Sequence, residues 1–229
     1  MIGIIGAMKE EVDAIKEYMS VTHKSTHLNY DFYQGIMNGK EVVLMQSGIG
    51  KVNAAISTTL LFHYFDIDYV INVGSAGGLD VKQNVGDVVI SSQVVHHDVD
   101  ITAFGREMGE IPDMPRYFVA DSKLLKEVQN ILENENMPYH IGLIASGDQF
   151  VCREDQVAKI KKDFPEVMCA EMEAASIAQV CYVYKKKFII TRSLSDVFNK
   201  GENHIQFDEY LKEASQKSAK MCSQLVSCL

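Results

Sequence analysis

Four polar or glycine-rich segments each follow a predicted β-strand, and together they supply the residue types of acid-base chemistry. Glu10-Glu11 comes after the first strand, and Gly74–Gly78 comes after another. The segments 171–173 and 192–196 also follow apolar, strand-like runs. In open α/β sheets, ligands bind beyond the carboxyl ends of the strands. We therefore expect these four segments to converge on one crevice.

The carboxyl groups in these segments are candidates for proton transfer. Asp196 follows an apolar strand and precedes Val197-Phe198, so partial desolvation would raise its pKa and let it hold a proton at neutral pH. Glu171 and Glu173 lie at the start of a predicted helix. Their alternative role is purely structural, because the positive end of the helix dipole stabilises carboxylates. Glu11 lies in the first turns of a predicted helix. Its alternative role is that of a solvated residue on the exposed helix surface. Carboxyl groups in different environments can divide acid and base roles.

Two other patterns imitate known sites but lack their required spacing. Segment 96–100, His-His-Asp-Val-Asp, offers metal-ligand types, but adjacent strand residues point to opposite faces, which favours a hydrogen-bonded structural role. Ser47–Val52 resembles part of a phosphate-binding loop, but the first required glycine would fall at Met45. The Gly74–Gly78 segment lacks the spacing of a dinucleotide-binding loop and is compatible with a structural turn. These segments therefore predict neither a metal-binding site nor a binding site for a nucleoside triphosphate.

Alternating short apolar runs and longer amphipathic runs predict a single three-layer α/β/α domain over residues 1–229, with a central mixed β-sheet. Asn38-Gly39 marks a hairpin turn, which makes the sheet mixed. Asp121 is a natural N-cap for one amphipathic helix, and the last segment forms another. The predicted strands are Ile2–Ile5, Val42–Met45, Tyr69–Val73, Val88–Val95, Ile141–Ala145 and Phe188–Ile190.

Composition narrows the classes of partner. The 229 residues include 31 acidic and 22 basic side chains, and the net charge of −9 would repel nucleic acid and anionic membranes. The chain has 5 cysteines and no CxxC pair, which argues against a disulfide framework or a zinc site. The N-terminal apolar run is too short for a secretory signal, and no stretch has transmembrane length. We expect a cytoplasmic protein with reduced thiols.

Taken together, the motifs resemble those of the 5′-methylthioadenosine/S-adenosylhomocysteine nucleosidases, within the nucleoside phosphorylase superfamily. The resemblance runs from Ile2 to about Leu225 and implies a nucleoside phosphorylase-like fold. Six segments stand in the family's order: Ile4–Met8 with Glu10-Glu11, Ser47–Val52, Gly74–Gly78, Ser146–Asp148, Glu171–Ala174 and Ser195-Asp196.

The resemblance implies catalytic roles for particular residues. Glu11 would activate the attacking water, and Asp196 would protonate adenine N7. Glu173 would hydrogen-bond the ribose hydroxyls. Ser75 and Arg192 match positions that support the aspartate and the water. The implied reaction is hydrolysis of the N-glycosidic bond of a thio-adenosine nucleoside, as in methionine salvage, without a metal or organic cofactor.

The resemblance also implies the walls of the site. Phe150 would stack on adenine, and the backbone of Val151 would read the edge of the base. The family is usually a homodimer. The residues that would line the sugar and 5′-thio pocket are Met8, Ile49, Met172 and Phe207, and those reaching in from the neighbouring subunit are Ile101, Phe104 and Pro112.

Alternatives of the same fold are a purine nucleoside phosphorylase and an aminodeoxyfutalosine nucleosidase, and a more distant one is a non-catalytic nucleoside-binding module. Phosphorolysis needs cationic groups around an anion, whereas Glu11 would repel phosphate. The sequence departs from the family's usual pattern at four positions, which we expect near the thio-substituent pocket and its lid. They are Lys9, Thr191, Ser193 and Phe198.

Overall fold

The apolar run at the N-terminus forms strand β1 (Ile2–Gly6), which lies within the central sheet. It pairs in parallel with β4 (Lys40–Gln46) on one side and with β5 (Tyr69–Gly78) on the other. All of its residues are buried, as expected of a parallel strand covered on both faces. The computed structural model describes residues 1–198, 200 and 203–229, and it describes only the backbone of residues 203–206, 208 and 209.

Strands and helices alternate along most of the chain. The other strands are β2 (Ser20–His27), β3 (Tyr30–Met37), β6 (Val88–His96), β7 (Phe118–Val119), β8 (Tyr139–Ser146), β9 (Val167–Glu171) and β10 (Lys187–Val197). The helices are α1 (Lys9–Lys16), α2 (Lys51–Tyr64), α3 (Ser122–Asn134), α4 (Glu154–Asp163), α5 (Ala174–Val183) and α6 (Asn203–Cys228).

The sheet is mixed, and part of it closes on itself. The strand order is β10-β6-β8-β9-β5-β1-β4-β3-β2, and β7 pairs with β6. An additional pairing joins β10 to β5, so that β5, β10, β6, β8 and β9 form a closed ring. The carboxyl ends of several ring strands therefore lie close together.

Strands β5 and β10 extend further than the sequence pattern predicts. The predicted strands end at Val73 and Ile190, but the observed strands continue to Gly78 and Val197. The two extensions pair with each other in parallel, with Gly74 opposite Arg192. Backbone pairing does not require apolar side chains, and the absence of Cβ atoms on one strand makes room for large polar groups on the other.

The predicted hairpin is confirmed, and a further strand lies outside it. Strands β3 and β4 are joined by Asn38 and Gly39, whose φ angles of 48° and 77° are those of a type I′ turn. Strand β2 pairs with β3 at the edge of the sheet and is mostly exposed. Because it buries neither face, its sequence has no apolar alternation from which a strand could be predicted.

Helices cover the sheet and complete the predicted three-layer α/β/α arrangement. Helix α6 packs against α1 and α3, and α2 packs against α5. Helix α4 covers a smaller apolar cluster that includes Val157, Ile160 and Phe164. Among the described helices, none combines the length and apolar composition that crossing a bilayer requires.

Helix α3 begins at the predicted N-cap. The Asp121 carboxylate accepts hydrogen bonds from the backbone N–H groups of Lys123 and Leu124, at 3.1 and 3.0 Å. The helix buries the predicted apolar face, which includes Leu124 and Val128. These bonds satisfy two of the N–H groups that a helix start leaves without partners.

We predict that Asp121→Ala lowers the free energy of unfolding by about 1 kcal/mol, because both capped N–H groups lose their acceptor. Urea denaturation followed by circular dichroism measures the change. Asp121→Asn keeps a capping oxygen and serves as the control. Equal losses in the two variants would show that the capping bonds are not the source of the stabilisation.

Candidate active site

The Glu11 carboxylate folds back over the start of its own helix. It accepts hydrogen bonds from the backbone N–H groups of Ala7 and Met8, at 2.7 and 3.0 Å, and from that of Ser75 at 3.3 Å. The residue is only 2% exposed, so the alternative of a solvated helix surface is wrong. Burial raises its pKa, although these N–H groups and the Arg192 charge oppose the shift.

Arg192 is fully buried at the centre of the site. Its Nη2 atom donates to Asn72 Oδ1 at 2.6 Å and to Glu171 Oε2 at 2.7 Å. Glu171 Oε2 also accepts from the Ala174 N–H at 2.9 Å, and Glu171 Oε1 accepts from the Ser146 hydroxyl. Of Glu171 and Glu173, it is therefore Glu171 that stabilises the start of α5, and both of its carboxylate oxygens accept hydrogen bonds.

Glu173 directs its carboxyl group toward the cavity. Its Oε1 atom accepts a hydrogen bond from the Gly50 backbone N–H at 2.9 Å. Burial, together with the nearby negative charge of Glu171, raises the pKa of Glu173 to about 8. In the free protein this group therefore keeps its proton at neutral pH.

Asp196 lies at an irregularity of strand β10. The pairing with β5 shifts between Leu194 and Asp196, so that Ser195 has no partner residue, and both Ser195 and Asp196 line the cavity. Asp196 is 1% exposed, and its Oδ1 accepts from the Ser195 hydroxyl at 2.8 Å. A Cβ atom on Gly77 would lie 3.1 Å from Asp196 Oδ2, which shows how closely the glycine-rich strand approaches the acid.

These groups surround one cavity of about 320 Å³. Phe150 and Phe207 both line the cavity and meet edge to face, with ring centroids 6.0 Å apart. The structure thus brings together all the site residues that were predicted within one chain. They are Met8, Glu11, Ile49, Ser75, Phe150, Val151, Met172, Glu173, Arg192, Asp196 and Phe207.

The three residues predicted to serve a neighbouring subunit are separate from this cavity. Ile101, Phe104 and Pro112 are not among the residues that line it. Phe104 is 84% exposed at the end of a short 3₁₀ turn, and Pro112 is also exposed. Their part in a second copy's site stays a prediction.

The four departures from the family pattern do not themselves line the cavity, although each lies within two positions of a residue that does. Thr191 and Ser193 alternate with Arg192 on β10, so their side chains point to the opposite face of the strand. Lys9 is an exposed partner of Asp13. Phe198 packs on the smaller apolar cluster covered by α4.

Some residues of the site were not predicted from the sequence. Asn72 orients Arg192, and Gln149 adds a polar group to the cavity wall. Asn72 could have been found from the sequence, because it is a single amide within an apolar strand. A buried amide needs a hydrogen-bond partner.

The histidine-rich segment that imitates a metal site makes a different contact. His96 Nε2 lies 3.0 Å from Gln179 Oε1, a hydrogen bond consistent with the expected structural role. Across the described part of the chain, no group of three His, Cys, Asp or Glu side chains is arranged to hold a metal ion.

A family model described as "Phosphorylase superfamily" matches residues 1–227. The chain belongs to this superfamily. It is 49% identical over 229 residues to the 5′-methylthioadenosine/S-adenosylhomocysteine nucleosidase of Staphylococcus haemolyticus, and the match covers 100% of both chains. The nucleosidase of Marinomonas sp. is 48% identical over 227 residues, or 99% of this chain and 98% of the relative.

Solved structures agree with the sequence relatives. The nucleosidase of Neisseria meningitidis, in complex with methylthio-immucillin-A, has a TM-score of 0.95 and 43% identity, and covers 100% of this chain and 99% of its own. That of Colwellia psychrerythraea, in complex with adenine, has a TM-score of 0.94 and 43% identity, and covers 98% of this chain and 93% of its own. Within the superfamily, this chain is a member of the 5′-methylthioadenosine/S-adenosylhomocysteine nucleosidase family.

We predict that Glu173 makes stability depend on pH. Unfolding lets this carboxyl ionise above its ordinary pKa of 4.5, whereas the folded protein keeps the proton up to about pH 8. Its stabilising contribution is therefore complete at low pH and is lost as the pH rises from about 4.5 to 8, at up to about 1.4 kcal/mol per pH unit.

Glu173→Gln removes this titration, so the variant should gain stability relative to wild type as the pH rises. Urea denaturation at pH 5, 6, 7 and 8 measures the difference. Glu154→Gln, at an exposed position on α4, is the matched control and should show no such trend. If the difference in free energy of unfolding between the wild type and Glu173→Gln stays constant over this pH range, the prediction is contradicted.

Proposed function

We propose that the protein hydrolyses the N-glycosidic bond of 5′-methylthioadenosine and S-adenosylhomocysteine, releasing adenine and the 5′-thioribose product. The observation that carries the proposal is one cavity lined by the buried residues Glu11, Glu173 and Asp196, in a chain whose full-length relatives are nucleosidases for these compounds. The complexes of its structural relatives with adenine and with methylthio-immucillin-A support the same class of ligand.

In this proposal, Asp196 is the general acid. Cleavage of an N-glycoside is easier when adenine leaves as a neutral base, which requires a proton on N7. Asp196 is buried, as a carboxyl that must hold and deliver a proton should be, and Ser195 donates a hydrogen bond to its Oδ1. The second oxygen lies beside the glycine-rich strand, where a Cβ atom on Gly77 would come within 3.1 Å of it, so a larger residue at this position would crowd the acid.

Glu11 is the group that activates water. Its carboxylate is held by three backbone N–H groups, so its orientation is determined before substrate arrives. A water between Glu11 and the anomeric carbon would give up a proton as it adds to the sugar cation. The negative charge near the sugar also stabilises that cation in the transition state.

Glu173 binds the ribose hydroxyls, while apolar side chains accept the uncharged thioether. Met8, Met172 and Phe207 line the cavity and suit a sulfur-containing tail, because methionine and aromatic groups contact sulfur favourably. Phe150 provides a face on which adenine can stack. Proton transfer and charge stabilisation by these side chains require neither a metal nor an organic cofactor.

Hydrolysis is favoured over phosphorolysis by the groups around Glu11. The backbone N–H groups of Ala7, Met8 and Ser75 could bind an anion, but the Glu11 carboxylate already accepts from all three. Arg192, whose charge acts on Glu11, pairs directly with Glu171. A phosphate ion at this position would meet a carboxylate rather than free donors.

The protein is proposed to act as a cytoplasmic homodimer of single-domain subunits, in methionine salvage. Ile101, Phe104 and Pro112 would reach into the partner's site and complete its 5′-thio pocket. The exposed phenyl ring of Phe104 supports this assignment, because a large apolar side chain with 84% exposure gains by burial against a second copy.

We predict that the wild-type protein releases adenine and free thioribose from methylthioadenosine in phosphate-free buffer, at a rate that added phosphate does not increase. Chromatography and mass spectrometry identify the products. Adenosine and inosine serve as comparison substrates. Formation of thioribose 1-phosphate, or a requirement for phosphate, would instead establish phosphorolysis, and no product from any nucleoside would favour a binding module.

We predict that Asp196→Asn binds methylthioadenosine but releases adenine at least about 100-fold more slowly, the lower range for loss of general acid catalysis. The amide keeps the shape of the side chain but cannot deliver the proton. Calorimetry measures binding, and single-turnover adenine release measures the chemistry. Near-normal turnover would remove Asp196 from its assigned role.

A further inference from the structure

Three charged residues that do not line the cavity connect two of the loops that form it. Lys51 Nζ donates to Asp98 Oδ1. The Lys51 backbone N–H donates to Asp148 Oδ1 at 2.7 Å, and the Asp148 backbone N–H donates to Asp98 Oδ2 at 3.0 Å. Each residue therefore contacts the other two, and the three form a closed triangle of charge-assisted hydrogen bonds.

Two corners of this triangle are next to working parts of the site. Lys51 begins α2 directly after Gly50, whose N–H orients the Glu173 carboxyl at 2.9 Å. Asp148 directly precedes Gln149, Phe150 and Val151, all of which line the cavity. The triangle thus joins the Glu173 side of the cavity to the wall proposed to hold adenine.

Gly50 fits closely against the Asp148 corner. Its φ angle of +97° is one that other residues rarely adopt, and a Cβ atom there would lie 3.2 Å from Asp148 Oδ1. The start of α2 therefore presents two consecutive N–H groups to two carboxyl groups, Glu173 and Asp148. Because Gly50 and Lys51 are adjacent, a shift of Asp148 would also move the Gly50 N–H group that orients Glu173.

One edge of the triangle, the Lys51–Asp98 ion pair, is partly buried, whereas Asp148 is exposed. The Lys51 and Asp98 side chains are only 17% and 22% exposed, so water screens their attraction less than that of a surface pair. Burial opposes ionisation of Asp98, but the Lys51 ammonium and the Asp148 N–H lower its pKa below the ordinary value.

We infer that Lys51, Asp98 and Asp148 form a positioning clamp, which holds Gly50, and through it Glu173, in register with the adenine wall. The clamp makes no contact with substrate and acts through the orientation of the ribose-binding carboxyl. This inference rests on the proposed function, because it takes Glu173 as the group that binds the ribose hydroxyls.

The test is to measure calorimetric affinity for methylthioadenosine in proteins that also carry Asp196→Asn, which prevents turnover. Asp98→Asn should weaken binding about tenfold, because one charge-assisted bond of the clamp is lost. Lys51→Met should do the same, and it provides a second variant if Asp98→Asn fails to fold. Asp155→Asn, an exposed aspartate on α4 outside the clamp, should leave affinity unchanged.

A double-mutant cycle with Glu173→Gln separates positioning from a general loosening of the structure. If the clamp acts through Glu173, adding Asp98→Asn to Glu173→Gln should weaken binding by less than about twofold. An equal loss of affinity in both backgrounds, or no loss from either clamp variant, would overturn the inference. Adenine release by the wild-type protein is measured separately, so failure of the proposed function is distinguished from failure of the clamp.

Discussion

The ion pair between Arg192 and Glu171 is the interaction on which the rest of the site depends. Taking two charges out of water costs free energy, and a buried pair repays that cost only with further hydrogen bonds. Asn72, Ser146 and the start of α5 supply those bonds. Such a pair is weak evidence for stability by itself, and its main effect here is to place one immobile positive charge beside three carboxyl groups.

One guanidinium cannot neutralise three acids equally, and this inequality distinguishes their chemistry. Glu171 holds the direct contact with Arg192 and has its oxygens occupied. Glu11 instead accepts hydrogen bonds from backbone N–H groups, and Glu173 accepts one from the Gly50 N–H at the start of α2. Both of these groups have raised pKa values because burial penalises their ionised forms more than the remaining partners favour them. Environment rather than residue type therefore separates a glutamate held in an ion pair from two whose pKa values are raised.

Much of this arrangement could be predicted from the sequence, because it depends on local patterns. The segments that carry Glu11 and Asp196 follow apolar runs in the sequence, and Asp121 has the residue type of an N-cap. The long-range pairing of β5 with β10 could not be predicted, since glycine and polar side chains give no strand periodicity. The division of labour between Glu171 and Glu173 was also hidden, because it depends on Arg192, which lies 21 positions from Glu171 along the chain.

The ring formed by β5 and β10 has a consequence for how the protein is made. Asn72 and Arg192, which meet in this ring, are 120 positions apart in the chain. During synthesis, β5 leaves the ribosome long before its partner strand exists, and contacts of such separation form late. Arg192, Asp196 and the glycine-rich part of β5 therefore come together only when β10, the last strand, is in place. A nascent or truncated chain that lacks β10 has no working centre, so catalytic competence reports that the ring has closed.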